Sequence, residues 1–231
     1  IFNKQIDAFS SVESLDVGDP VREISKINKR INDETNGLIP QLLQSNAINQ
    51  LTQCMLLNVI YYKSDWLVKF DKRSTSSQKF YYIANKSISI KTVNMMSMYD
   101  KSFKYFENEA SQLIELPFKD KEFAMGFLLG RSVNLPKVNL SGLMNSIASL
   151  NTQDIQVLKI PKFRQESTHD LIPVMKKMGL SVIFDKLDLA NMLYGAGDNN
   201  KISTIVQKTV VIVDEEGVEA AAASAMTLIT N

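Results

Sequence analysis

Runs of strand-like segments, broken by a few helices without strict alternation, predict an α+β fold built on mainly antiparallel sheets. Three observations carry this. Apolar runs rich in Val, Ile, Tyr and Phe recur along the chain, polar turns separate them, and helical spacing is confined to a few segments. No composition break, internal repeat or low-complexity linker divides the 231 residues, so one domain is expected.

In chain order, Asp19 and Pro20 supply an N-cap and a first-turn proline, and Ile24, Ile27 and Ile31 then recur at helical spacing. A helix is predicted over 20–35, stopped by TNG, and a second over 38–44. QCMLLNVIYY at 53–62 is short and apolar nearly throughout, which predicts a strand buried on both faces. QKFYYI and SISIKTVNMM read as two strands joined by ANK. FKYFEN, SQLIELPF and FAMGFLL read as three more. Residues 139–149 are predicted helical, DIQVLKIPKF a strand, and STHDLIPVMKKMGL a helix ended by Gly179. KISTIVQKTVVIVD is one long strand.

Composition excludes several function classes. The net charge is +1 with both signs scattered, so neither nucleic acid nor a basic partner is indicated. The single cysteine, Cys54, rules out an internal disulfide framework and a cysteine metal site. The single histidine, His169, lies in the polar stretch RQESTHD, reads as a solvated surface residue, and removes most Ser-His and zinc chemistry. No run approaches the ~20 apolar residues of a membrane span. IFNKQIDAF carries no signal-peptide pattern and no initiator Met, and is expected to follow an absent beginning.

Catalytic motifs are missing: no G-x-S-x-G elbow, Walker loop or H-E-x-x-H occurs. Gly195-Ala196-Gly197 reads as a loop. Asp214, Glu215 and Glu216 stand at a strand end, where carboxylates are more often solvated or ion-paired than catalytic. Asn85 and Asn139 fit glycosylation sequons, a pattern frequent by chance. No cofactor is indicated, and the chain is not expected to be an enzyme.

The closing stretch, VVIVDEEGVEAAAASAMTLITN at 210–231, mixes a β-branched run, a turn, an alanine tract of high helix propensity and a second strand-like run. A C-terminal helix with a frayed tail explains the alanines but not Gly217 or the β-branched entry.

Several segments, in order, resemble the serpin family of protease inhibitors. TQCMLLNVIYYKSDW is similar to its central strand, with Asn58 at the buried polar position and Trp66 where the main sheet opens. Phe70, Thr75 and Phe80 match a following Phe, Thr and Phe. VNMMSMY resembles the V-x-M-M element, LIELPF the L-E-L-P-Y element and IPKF the L-P-K-F element; VMKKMGLSVIFD also matches. VDEEGVEAAAASA is similar to the hinge signature E-E-G-T-E-A-A-A-A-T. The match begins partway into a serpin domain and stops at the reactive loop, so residues 1–231 are expected to be part of a single serpin domain.

The resemblance implies a large, mainly antiparallel sheet A, smaller sheets and surrounding helices, with the reactive loop inserted as an extra strand. It implies a suicide-substrate inhibitor whose exposed loop is cleaved and inserts, trapping the acylated protease. The alternative is a non-inhibitory carrier, chaperone or storage serpin. The implied hinge is Glu215, Glu216, Gly217, Val218, Glu219, Ala220, Ala221, Ala222 and Ala223. Gly217 is expected to let the backbone swivel. Val218, standing where Thr or Ser is usual, is expected to slow insertion without blocking it.

Two-residue alternation sorts the inserted segment into faces. Val218, Ala220, Ala222, Ser224, Met226 and Leu228 carry no charge and are expected to face the interior; Glu219, Ala221, Ala223, Ala225, Thr227 and Ile229 form the other face. No proline interrupts 218–231. Glu215 is expected to pair with Lys162, a contact worth ~0–1 kcal/mol if exposed. Gln207 stands where the family carries His; it can bond Asn58 but cannot titrate, so pH gating there is expected to be lost.

The residue before the cleaved bond usually lies fourteen positions after the hinge glycine, which here is Asn231. The end at Asn231 is expected to mark either cleavage, the favoured reading, with the C-terminal serpin fragment in a separate chain, or the point where order in the loop runs out. The expected partner is a target protease: an asparagine-directed cysteine protease of the legumain type, or a serine protease of elastase or chymotrypsin type. No nucleic acid, membrane or metal is expected. The protein is expected to be a monomer, extracellular or secreted in preference to cytoplasmic.

Overall fold

The computed structural model describes residues 13–84, 87–131, 140–186 and 200–230. Its contacts divide the chain into two compact units: Ile1–Tyr62, Gln165–Val211 and Ala220–Asn231, and Lys63–Arg164 with Ile212–Glu219.

The first unit opens with helix α1, Pro20–Glu34, capped by Asp19, whose carboxylate accepts from the Arg22 amide at 3.1 Å. Ile24 and Ile31 are buried, as helical spacing demands. Asn36 and Gly37 take positive φ values of 50° and 81° and end the helix. Residues 38–44 form no helix, contrary to the sequence expectation. Pro40 cannot donate within a helical ladder there. The Asn28 side chain also captures the segment: its Oδ1 accepts from the amides of Leu42 and Leu43 at 3.0 and 2.9 Å, and its Nδ2 donates to Leu43 O at 3.0 Å. Leu38, Ile39, Leu42 and Leu43 are buried as a loop instead.

Four strands, β1 (Thr52–Asp65), β7 (Phe163–Asp170), β8 (Asn200–Val213) and β9 (Gly217–Thr230), form one sheet in the order β1-β9-β8-β7. β8 and β9 are antiparallel. They are joined by a three-residue turn, and their contacts step in opposite directions, from Asp214 N to Gly217 O and from Ser203 Oγ to Thr227 O. β1 is not buried on both faces: Leu56 and Ile60 are 56% and 58% exposed, because nothing described packs on that side. The helix expected from Ser167 onward starts only at Ile172, since β7 runs through Asp170; α3 spans Ile172–Lys177, and Gly179, at φ 92°, follows it. His169 is exposed on β7. Phe184, Ile202, Ile205 and Leu228 form a buried cluster, with Cys54 and Met226 packed against it.

In the second unit, β2 (Ser76–Ala84), β3 (Ser87–Glu107), β4 (Ser111–Pro117) and β5 (Ala124–Gly130) lie in sequence order, with β6 (Asn151–Pro161) also pairing β3. All these pairs are antiparallel. FKYFEN is not a separate strand. It continues β3 through Glu107, because β6 pairs it from Met95↔Pro161 to Tyr105↔Asn151 while β4 pairs its far end. Helix α2 covers Leu140–Ala148. Met96, Phe103, Leu113, Leu116, Phe118 and Ile160 are buried in this unit.

Asn28→Ala should release the 42–43 backbone from α1. Leaving those amides unpaired should cost about 1–3 kcal/mol, read as a lowered urea midpoint at unchanged slope.

Candidate functional site

The predicted hinge begins where β8 ends. Val210 and Val213 are fully buried, and Asp214 then folds the chain back. Its Oδ1 accepts from the amides of Glu216 and Gly217 at 2.9 and 3.2 Å, a short-range turn of the kind Asp favours. All three turn carbonyls dock on one segment. Trp66 Nε1 donates to Asp214 O at 2.8 Å, Phe70 N to Glu215 O at 3.0 Å and Trp66 N to Glu216 O at 2.9 Å. Trp66 is 2% exposed and stacks on Phe118 at 5.1 Å between ring centroids.

The glutamates diverge. Glu215 is buried at 4% exposure; its carboxylate accepts from Lys162 Nζ and Thr75 Oγ1, each at 2.8 Å. Burial pushes this carboxyl up, but the bonds from Lys162 and Thr75 outweigh it and hold the group below the usual carboxylate range. The expected pair with Lys162 therefore forms, but with one partner buried rather than on an open surface. Removing Lys162 would strand a buried charge, a larger loss than breaking a surface pair. Glu216 faces solvent and binds Lys69 Nζ at 2.6 Å and Lys72 Nζ at 2.9 Å, which hold its pKa at about 2. Glu219 meets Lys63 at 3.5 Å.

Gly217 has a different role from the expected one. A Cβ built on it would lie 2.0 Å from Ser64 O and 2.9 Å from Asp65 Cα, and no left-handed φ is involved. The glycine is needed because the β1 backbone approaches this closely.

From Gly217 to Thr230 the chain is one strand, hydrogen-bonded between β1 and β8. Its two faces are occupied differently from expectation. Ala221, Ala223, Ala225 and Thr227 are buried, while Ala220, Ala222, Ser224 and Met226 are only half-buried; Val218 and Leu228 are buried. The reason is the loop leaving α1. Asn36 Nδ2 reaches the Tyr61 hydroxyl at 3.4 Å, and Gln41 O accepts from Lys208 Nζ at 3.3 Å. Continuing the antiparallel alignments fixed by the Trp66 N to Glu216 O, Lys63–Glu219 and Asp214 N to Gly217 O contacts places Tyr61 opposite Ala221 and Lys208 opposite Ala223, so the loop crosses β9 on the odd-numbered face. The even-numbered row lies beside Leu56 and Ile60 on the open side.

Asn58 is exposed, not buried, and Gln207 is half-buried. The two share no hydrogen bond. β9 runs between their strands, and the register puts Ser224 opposite both, so they stand two strand spacings apart, roughly 10 Å. Sequence reasoning did not find Thr75 or the lysines 63, 69 and 72 as hinge partners; the only signal was the density of lysine in KSDWLVKFDKRST. Asn85, Asn139 and Asn231 lie outside the described residues. Among the described residues no three His, Cys, Asp or Glu side chains are grouped to hold a metal, and no helix is long and apolar enough to cross a membrane.

A mixed α+β architecture with a turn-linked strand threaded into a large antiparallel sheet is the class this geometry defines. The family model for Serpin (serine protease inhibitor) matches residues 2–231, and the chain belongs to the serpin family. It is 33% identical over 229 residues to Serpin B4 of Homo sapiens, covering 95% of this chain and 57% of that protein. It is 32% identical over 235 residues to the leukocyte elastase inhibitor of Xenopus tropicalis, covering 96% and 60%. The chain thus spans little more than half the length of these curated relatives. Cleaved Serpin 42Da superposes with a TM-score of 0.84 at 27% identity, over 99% of this chain and 63% of that one. Reactive-loop-cleaved human thyroxine-binding globulin shares the fold, with a TM-score of 0.86 at 21% identity over 100% and 68%.

Two outcomes test this geometry. Gly217→Ala should drive a Cβ into the Ser64 carbonyl and cost about 1–3 kcal/mol, measured as a fall in Tm. Glu215→Gln tests the lowered carboxyl pKa. Because the folded value lies below the unfolded one, the stabilisation is complete above the usual carboxylate value of about 4.3 and fades as pH falls through the lowered value. The parent should therefore exceed the variant in stability at neutral pH, and the gap should close on acidification in urea titrations.

Proposed function

We propose that residues 1–231 are part of a single serpin domain that inhibits a protease as a suicide substrate, and that 217–230 is its reactive loop in the inserted state. The observation that carries this is the position of β9, between β1 and β8 and joined to β8 by a three-residue turn. A loop that is exposed before cleavage must lose its polar hydration as it enters a sheet. This segment suits that demand: it carries no charge after Glu219 and no proline. Alanine also costs almost no side-chain entropy to order. The intact state is then kinetically trapped above the inserted one. Glu215, Glu216 and Gly217 act as the hinge, and Trp66 and Lys162 secure the point where the sheet opens. The mechanism draws on folding free energy, so it needs a protease partner and no cofactor.

By position, the residue before the cleaved bond is Asn231. That residue suits an asparagine-directed cysteine protease of the legumain type. The likeness to leukocyte elastase inhibitors favours a serine protease cutting there or at a neighbouring bond. A protease panel decides. The expected result is an SDS-stable complex with at least one enzyme and a large rise in Tm after loop cleavage. Such a complex with serine enzymes removes the legumain assignment. Cleavage with neither complex nor Tm gain would mark a non-inhibitory carrier or storage serpin.

A further inference from the structure

β9 lies against β1 in a register pinned at two points, the Trp66 N to Glu216 O bond at 2.9 Å and the Lys63–Glu219 pair at 3.5 Å. Only the second involves side chains. Beyond Glu219 come four consecutive alanines, Ala220–Ala223, with no side chain to distinguish one alignment from another. A one-residue slip would exchange the two faces and is penalised by burial, but a two-residue slip keeps every side chain on its own face. Apolar patterning therefore gives weak protection against a two-residue slip; the docked turn and the close approach of Gly217 to Ser64 resist it at the entry end, and a charge on the strand adds to that resistance.

The charges beside Glu219 are arranged for that purpose. In the observed register it faces Lys63. A two-residue slip one way would set it opposite Asp65, which Lys69 holds in place at 2.9 Å, and like charges directly opposite one another repel. A slip the other way would set it opposite Tyr61, which offers no cation. The Glu219 side chain is 22% exposed and that of Lys63 57%, so the carboxylate is the more sheltered partner and the one that requires pairing.

We propose that Lys63 is a register-setting residue for the seating of β9, attracting Glu219 in the correct alignment while Asp65 rejects the slipped one. This rests on the insertion reading above. Lys63 acts through the strand it positions and touches no protease.

The test uses the intact protein with Lys63→Glu and with the charge swap Lys63→Glu/Glu219→Lys. Register is read by oxidative cross-linking after loop cleavage, in a Cys54→Ser background. Ile60→Cys with Ala222→Cys reports the observed alignment, and Ile60→Cys with Ala220→Cys the slip that sets Glu219 opposite Tyr61, the one Asp65 does not oppose; opposed positions on paired strands are within disulfide reach. Lys63→Glu should show the slipped cross-link and raise the stoichiometry of inhibition about two- to fivefold, the range of an exposed pair. The swap restores an opposite-charge pair at 63 and 219 and should remove the 60–220 cross-link, and high salt should shrink the difference between Lys63→Glu and the parent. If Lys63→Glu shows only the 60–222 cross-link at unchanged stoichiometry, while cleavage still raises Tm, the register assignment is overturned and insertion stands. If cleavage of the parent yields neither a Tm gain nor the 60–222 cross-link, insertion itself fails, and the register assignment with it.

Discussion

The turn between β8 and β9 depends on one set of contacts: three successive carbonyls, those of Asp214, Glu215 and Glu216, docked on the backbone and indole of Trp66 and the amide of Phe70. A chain reversal of three residues leaves these groups no regular ladder partners, and unpaired buried carbonyls are costly. Trp66 supplies two of the three bonds, one from its amide and one from an indole held in place by stacking on Phe118. With the turn held there, the direction and register of β9 relative to β1 follow, and Gly217 is forced by the closeness of the Ser64 carbonyl.

The charges around that turn divide the work by burial. Glu215 is sheltered and doubly bonded, so it ties the turn firmly to Thr75 and Lys162. Glu216 and Glu219 lie nearer solvent and meet lysines, contacts that salt weakens and that adjust position more than they add stability. Past Glu219 the strand carries no charge, so it crosses the sheet with its backbone as its main polar demand, and the ladder meets that demand. In the proposed mechanism this separates the strand into an anchored end that sets alignment and a plain body that enters with little resistance.

Much of the architecture was legible because it rests on local rules. Asp19 and Pro20 announce α1, alternating β-branched residues announce the strands, and the ordered motifs from TQCMLLNVIYYKSDW to VDEEGVEAAAASA mark the family. The misreadings share one cause. Residues 38–44 have helical composition, yet Asn28, on the preceding helix, captures the amides of Leu42 and Leu43. FKYFEN looks bounded, yet two partner strands extend β3 through it. Asn58 was expected inside on family position, yet its face of β1 is open.

For residues 217–230, the sequence alone determined that they can lie as a strand: no proline, no late charge, small side chains and a glycine at the entry. Tertiary structure alone decided which row of alanines is buried. Alternation defines two faces but does not say which one a distant loop will cross, and here the loop after α1 crosses the face of Ala221 and Ala223. It also decided that Gly217 serves close approach rather than an unusual φ, because the atom that excludes a side chain there belongs to Ser64, more than a hundred residues away.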